Sequence, residues 1–210
     1  MDLGFEILES NAEISRLINK AVSEKFNKKL KRNKKKITAE IKALIPSWIS
    51  SQPEMQSVQA EGVAFSLASQ FGIKSGTSAA VVAAIANSVT ESLQLELTDI
   101  SDKTLSGGLV IYIQPANFSN LLSLSEGFVN TRSSSLHWLD WLLTQGDKTI
   151  VSGYDYSPSN EGRSGGGVMI GGGGWRVPPQ FSGTITDNFV TRALSGRGDA
   201  IAKVIGGFLK

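Results

Sequence analysis

Twelve residues near the start of the chain carry its densest charge: Lys25-Phe26-Asn27-Lys28-Lys29-Leu30-Lys31-Arg32-Asn33-Lys34-Lys35-Lys36 holds eight of the 21 basic residues and no acid. Glu24 and Glu40 are the nearest carboxylates, so the mutual repulsion must be relieved by solvent or by an anion outside the segment. On a helix these charges span about three turns, enough to hold phosphates without base preference and with strong salt dependence. Phe26 and Leu30 stand four apart among them, which keeps one face apolar and able to pack. Two uses of the charge stay open on this ground: contact with phosphates or an acidic surface, or a solvated helix face. The candidate contact residues are Lys28, Lys29, Lys31, Arg32, Lys34, Lys35 and Lys36.

A second unusual stretch lies between Gly162 and Pro179. Gly162-Arg163-Ser164-Gly165-Gly166-Gly167 and Gly171 to Gly174 are followed by Trp175-Arg176-Val177-Pro178-Pro179. Glycine loses the most backbone entropy on folding, so such a cluster implies a need for backbone freedom or close approach. The prolines then impose a stiff extended segment. A helix signal follows over Thr184 to Leu194. A flexible glycine loop at 162–174, a strut and a docking helix together make an assembly device. The expected subunit-interface residues are Gly165, Gly166, Gly167, Gly172, Gly173, Trp175 and Arg176, with the indole as anchor.

Catalytic chemistry finds no comparable support. His137 is the only histidine, and its neighbours Trp138 and Trp141 suit a packed helix residue better than a base. No lysine follows the glycines in the manner of a phosphate loop. Asp140, Asp147 and Asp155 fit capping and solvation better than a hydrolytic pair. Arg197-Gly198-Asp199 falls where one helix stops and another is capped. With no cysteine, thiolate metal sites and disulfides are excluded. No catalytic, cofactor-binding or metal-binding residue is expected, and no cofactor.

The elements that must position these residues suggest an α+β fold: a helical N-terminal arm, a small mixed or antiparallel sheet packed with helices, and C-terminal helices. Helical spacing covers Asn11 to Ile49, as one helix or as two with a break near Asn33, and Pro46 kinks it or marks its last turns. A helix follows from Pro53 to about Phe71, stopped at Gly72. Another runs from Ser78 to Val89. Strand alternation begins near Ser88 and continues to Leu97, with a second strand at Leu109 to Ile113. Phe118 to Leu124 and Ser133 to Leu143 read as helices, Thr149–Val151 and Val168–Ile170 as short strands, and Ile185–Leu194 and Ala200–Leu209 as terminal helices. Domain division is expected as residues 1–50, the arm, and 51–210, the α+β body. A net charge of +2 and 40% apolar residues are ordinary for a folded chain. Met1 to Glu6 carries acid where a signal peptide would be basic, and no apolar run is long enough to span a membrane, so a cytoplasmic protein is expected.

The segments Gly174-Trp175-Arg176-Val177-Pro178-Pro179-Gln180-Phe181-Ser182-Gly183-Thr184 and Asp187-Asn188-Phe189-Val190-Thr191-Arg192-Ala193-Leu194 resemble tailed-bacteriophage neck and tail-completion proteins. In these a glycine-bearing strand leads through a Trp–Val-Pro-Pro-like strut to a helix beginning near an Asn-Phe pair. The basic run Lys28 to Lys36 is similar to that group, and Phe65 to Ile73 looks like a helix-ending motif of myophage structural proteins. The resemblance covers about a quarter of the chain. It implies a virion protein assembled in the host cytoplasm, forming a ring of six at the head–tail junction or the top of the tail. Its implied partners are itself, adjacent connector, terminator or tail-tube proteins, and phage DNA in the lumen. A different class, a non-specific nucleic-acid-binding protein using the basic helix 25–36, is the alternative.

Overall fold

A computed structural model describes residues 10–130, 135–147, 149–159 and 161–209. Met1 to Glu6 and Ser133, on which two of the expectations above fall, lie outside them.

The fold is α+β. Helix α1 runs unbroken from Asn11 to Ser50. Ser10 and Glu13 start it as a reciprocal cap: the Ser10 N–H donates to Glu13 Oε2 at 3.0 Å, and the Glu13 N–H donates back to Ser10 Oγ at 3.3 Å. No break occurs at Asn33, whose side chain points away from its own helix and donates to the Phe208 carbonyl at 3.3 Å. Pro46 sits inside the helix, four residues short of its end, and does not terminate it. Leu30, Ile37, Ile41, Ile45, Trp48 and Ile49 are buried, at spacings that place them on one stripe of the helix.

The chain then gives α2 (Pro53–Gln59), α3 (Leu67–Phe71) and α4 (Ser78–Glu91). The single helix expected over Pro53–Phe71 is divided by a turn at Gly62 (φ 71°) and restarts where Ser66 Oγ accepts the Ser69 N–H. Gly72 ends α3 in the left-handed region (φ 66°), as expected. Strand alternation from Ser88 is overridden at its start. Val82, Ile85 and Val89 share a buried helical face, so α4 persists to Glu91 and β1 begins only at Gln94.

Strands β1 (Gln94–Thr98) and β2 (Gly108–Tyr112) form an antiparallel hairpin. After α5 (Ser119–Leu122), β3 (Val129–Asn130) pairs with β4 (Ser135–Leu136). Helix α6 is Trp138–Leu143, shorter than expected because residues 135–136 are held in that pairing. β5 (Thr149–Pro158) and β6 (Gly167–Arg176) make the third antiparallel pair, ten residues each rather than two short strands. Among the described residues each sheet has two strands. α7 (Phe189–Leu194) starts at Asn188, later than the expected Ile185, because Asn188 Oδ1 accepts the Val190 and Thr191 N–H groups while its backbone N–H donates to Thr191 Oγ1. α8 is Gly198–Leu209.

Two compact units interleave along the sequence instead of following it as 1–50 and 51–210. One takes α1 up to Ile41, the β1–β2 hairpin and α8; the other takes Lys42–Leu93 and Ile113–Arg197. In the first unit the Asn27 amide exchanges hydrogen bonds with the backbone of Ile100 at 2.7 and 3.0 Å. An aromatic cluster centres the second unit. Phe71 stacks on Trp138 at 5.1 Å and meets Trp141 and Trp175 edge-on at 5.9 and 5.7 Å. Among the described residues no helix is long and apolar enough to cross a membrane.

Candidate functional site

The helical phase of α1 sorts its basic run into two sets. Lys25, Lys28, Arg32, Lys35 and Lys36 are all exposed and share one face, at steps of three and four with Lys35 and Lys36 adjacent. At 100° per residue they occupy an arc of about 100° and extend about 16 Å along the axis. Glu24 and Glu40 flank this arc and no acid of the helix lies within it. The opposite face carries Leu30 and Ile37, both buried, so packing holds the charged side outward.

Two of the other candidates serve the first unit itself. Lys31 pairs with Asp99 of the β1–β2 loop at 2.7 Å, both side chains being 58% exposed. Lys29 donates to the Leu209 carbonyl at 2.7 Å, satisfying an end group of α8. Lys34 is half-buried. Four of the seven expected contact residues, Lys28, Arg32, Lys35 and Lys36, therefore share the open face. Lys25, absent from that set, joins them; its spacing of three from Lys28 was the signal that would have found it.

The glycine segment is folded differently from the expected loop. Gly167 to Gly174 lie within β6, and only residues 159–166 connect the strands. The connection is tied down. The Gly62 N–H donates to the Ser164 carbonyl at 3.0 Å, and Tyr156 Oη donates to the Gly166 carbonyl at 2.8 Å while accepting the Phe65 N–H at 3.0 Å. A Cβ on Gly166 would run into Ser69 Oγ and stand 2.8 Å from the Val63 carbonyl oxygen, and one on Gly167 would strike the Tyr156 ring. These glycines permit close packing within their own unit. Gly166 and Gly167 are buried there and Gly165 is half-buried, which removes the reason for placing them at a subunit interface.

Trp175 is likewise a core residue, 6% exposed. Its ring meets Trp141 at 5.4 Å and Tyr154 at 6.1 Å, and its Nε1–H donates to Gln70 Oε1 at 3.0 Å. The Trp–Val-Pro-Pro strut thus delivers an indole to α3 and α6. Of the expected interface set, Gly172, Gly173 and Arg176 remain exposed on β6.

The residues weighed for catalysis are dispersed. His137 stacks on Phe128 at 4.0 Å and burial lowers its pKa. Asp140 accepts from Thr144 Oγ1 and from Gln145 Nε2, the latter at 2.9 Å, and Asp155 accepts the Tyr156 N–H at 2.8 Å. Arg197 lies over the Trp48 ring at 5.2 Å and donates to the Ala193 carbonyl at 2.9 Å. No group of three histidine, aspartate or glutamate side chains converges among the described residues.

Sequence reasoning missed two carboxylates with defined structural work. Glu61 accepts the Gly76 and Ser78 N–H groups at 2.7 and 2.9 Å, capping the start of α4, and those backbone donors bring its pKa down to about 2. Glu54, 1% exposed in α2, pairs with Arg192 of α7, which also holds Asp187 at 2.6 Å. Only tertiary proximity reveals either.

Comparison of the chain with protein-family models, curated proteins and solved structures finds no match.

Proposed function

We propose that the chain is a structural, non-catalytic protein of the tailed-phage head–tail junction, a neck or tail-completion subunit, and that the open face of α1 lies against DNA. The observation that carries this reading is the arc of Lys25, Lys28, Arg32, Lys35 and Lys36, held outward by the buried stripe opposite. A rigid row of cations matches a phosphate backbone and carries no base-reading chemistry. The phage setting rests on the resemblance of residues 174–194. In that setting the protein acts in the virion after assembly in the host cytoplasm, as a ring of six beside connector, terminator or tail-tube proteins.

Binding to a short DNA duplex across a salt series tests the reading. Five phosphate contacts give a slope of log K against log salt near −4.5, or about a 500-fold loss from 50 to 200 mM. Changing Lys28, Arg32, Lys35 and Lys36 to glutamine should bring the slope to about −1 while changing stability by less than about 0.5 kcal/mol per site. An unchanged slope removes α1 from the interface and leaves its charge as a solvated face. The same face also suits a freely acting nucleic-acid-binding protein. Particle assembly in the presence of the variant separates the two, since only a junction subunit is incorporated into tails.

A further inference from the structure

The second unit holds an arginine that its own acids leave unpaired. Arg163 lies in the connection between β5 and β6, where the backbone is tied at two carbonyls. That of Arg163 accepts the Ser75 N–H at 2.8 Å, and that of Ser164 accepts the Gly62 N–H at 3.0 Å. The guanidinium is positioned as well. Its Nη1 donates to the Asn130 carbonyl, at the end of β3, at 2.9 Å. A Cβ on Gly72 would stand 3.5 Å from its Nη2 and 4.0 Å from its Nε, so the side chain lies against the left-handed stop of α3.

Among the described residues no other hydrogen bond reaches this guanidinium and no carboxylate pairs with it. Arg192 of the same unit, by contrast, commits its fork to Glu54 and Asp187. The acids of the neighbouring segments do not neutralise Arg163. Glu61 caps α4, Glu126 accepts Ser125 Oγ at 2.9 Å, and Glu161 is exposed and makes no ion pair among the described residues. Arg163, Gly72 and Asn130 wall two cavities. The smaller, about 240 Å³, also has Lys74 and Glu126 on its wall, a base against an acid. The larger, about 530 Å³, is completed by Ser69, Val168, Met169 and two glycines, with no acid and no second base in its lining. Apolar walls with a few fixed polar groups are the form of a small-molecule site.

We propose that the larger cavity binds a carboxylate carried on a short apolar body. The planar fork of Arg163 offers parallel N–H groups to the two carboxylate oxygens. The Asn130 side-chain amide, which makes no hydrogen bond among the described residues, adds a further donor. Val168 and Met169, both half-buried, take the body. One guanidinium in the lining matches one negative charge, which favours a carboxylate over a phosphate dianion. The cationic arc of α1 belongs to the other unit, and the test of this site contains no nucleic acid, so the two readings can fail independently.

Hexanoate titrated into the isotope-labelled full chain at constant ionic strength, with amide chemical shifts as the readout, tests the site. Hexanoate should shift the Gly72, Gly162 and Gly167 amides saturably. Hexanamide, which keeps the body and loses the charge, should leave them in place. Inorganic phosphate, which keeps charge and loses the body, should bind more weakly than hexanoate. Arg163→Met should weaken hexanoate by about 10- to 100-fold, the loss of a charge-assisted contact. The proposal is overturned by shifts that do not saturate, by equal binding of hexanamide, by phosphate binding as tightly as hexanoate, or by an Arg163→Met protein that binds like wild type. Thermal melts confirm that the variant is folded. If it melts without a cooperative transition, Met169→Asp replaces it: a like charge on the wall should abolish the hexanoate shifts, and wild-type binding by that variant also overturns the proposal.

Discussion

Replacing Trp175 by alanine tests whether the indole serves the core or a neighbouring subunit. The side chain is 6% exposed and touches Trp141, Tyr154 and Phe71. Removing a tryptophan from such a site costs about 3–5 kcal/mol in lost burial and residual cavity. Gln70 Oε1 also loses its donor in a buried setting, which adds about 1 kcal/mol. A total near 5 kcal/mol is a large part of the roughly 5–15 kcal/mol that holds a domain together. At about 2–4 °C per kcal/mol for a chain of this size, the Tm should fall by about 10–20 °C. Calorimetry of wild type, Trp175→Ala and Trp175→Phe measures this. Phenylalanine keeps most of the ring but not the hydrogen bond, so its drop should be less than half as large. A Trp175→Ala protein that melts within about 3 °C of wild type yet no longer assembles refutes the core placement and restores the indole to an interface.

Three further outcomes follow from contacts outside the cationic face. Arg192→Met leaves the buried Glu54 carboxylate without its guanidinium and should cost about 3 kcal/mol; adding Glu54→Met should recover most of that loss in a denaturant titration. Gly166→Ala should destabilise by about 1–3 kcal/mol, since its Cβ meets Ser69 Oγ and the Val63 carbonyl; a stability equal to wild type would show that the hairpin connection is not packed down. The Glu61 carboxylate titrates at about 2 when folded, well below the ordinary glutamate value of about 4.3. Its stabilisation is therefore complete above that ordinary value and is lost as pH falls toward 2. The melting difference between wild type and Glu61→Gln should shrink over that window; a constant difference would remove the cap at α4 as its cause.

What the sequence by itself determined is what depends on neighbours within a turn or two. The helical period of α1, the glycine stop at Gly72, the charge-free helix from Ser78 and the mixed α+β order are all written in spacings of two to four residues. Local pattern was misleading where a distant partner claimed the residue. Val89 alternates like a strand but is held on a helix by the buried face it shares with Val82 and Ile85. Residues 167–174, five of them glycine, resemble a loop in composition, yet pairing with Ser152–Pro158 makes them a strand. Trp175 resembles an interface anchor until Gln70 and Phe71, about a hundred residues earlier, are placed beside it. The basic run shows the same division. Its charge is visible in the chain, but which lysines face outward depends on Asp99 and the end of α8. Spacing along a chain fixes which side chains share a face; only packing between remote segments decides which of those faces is left to bind something else.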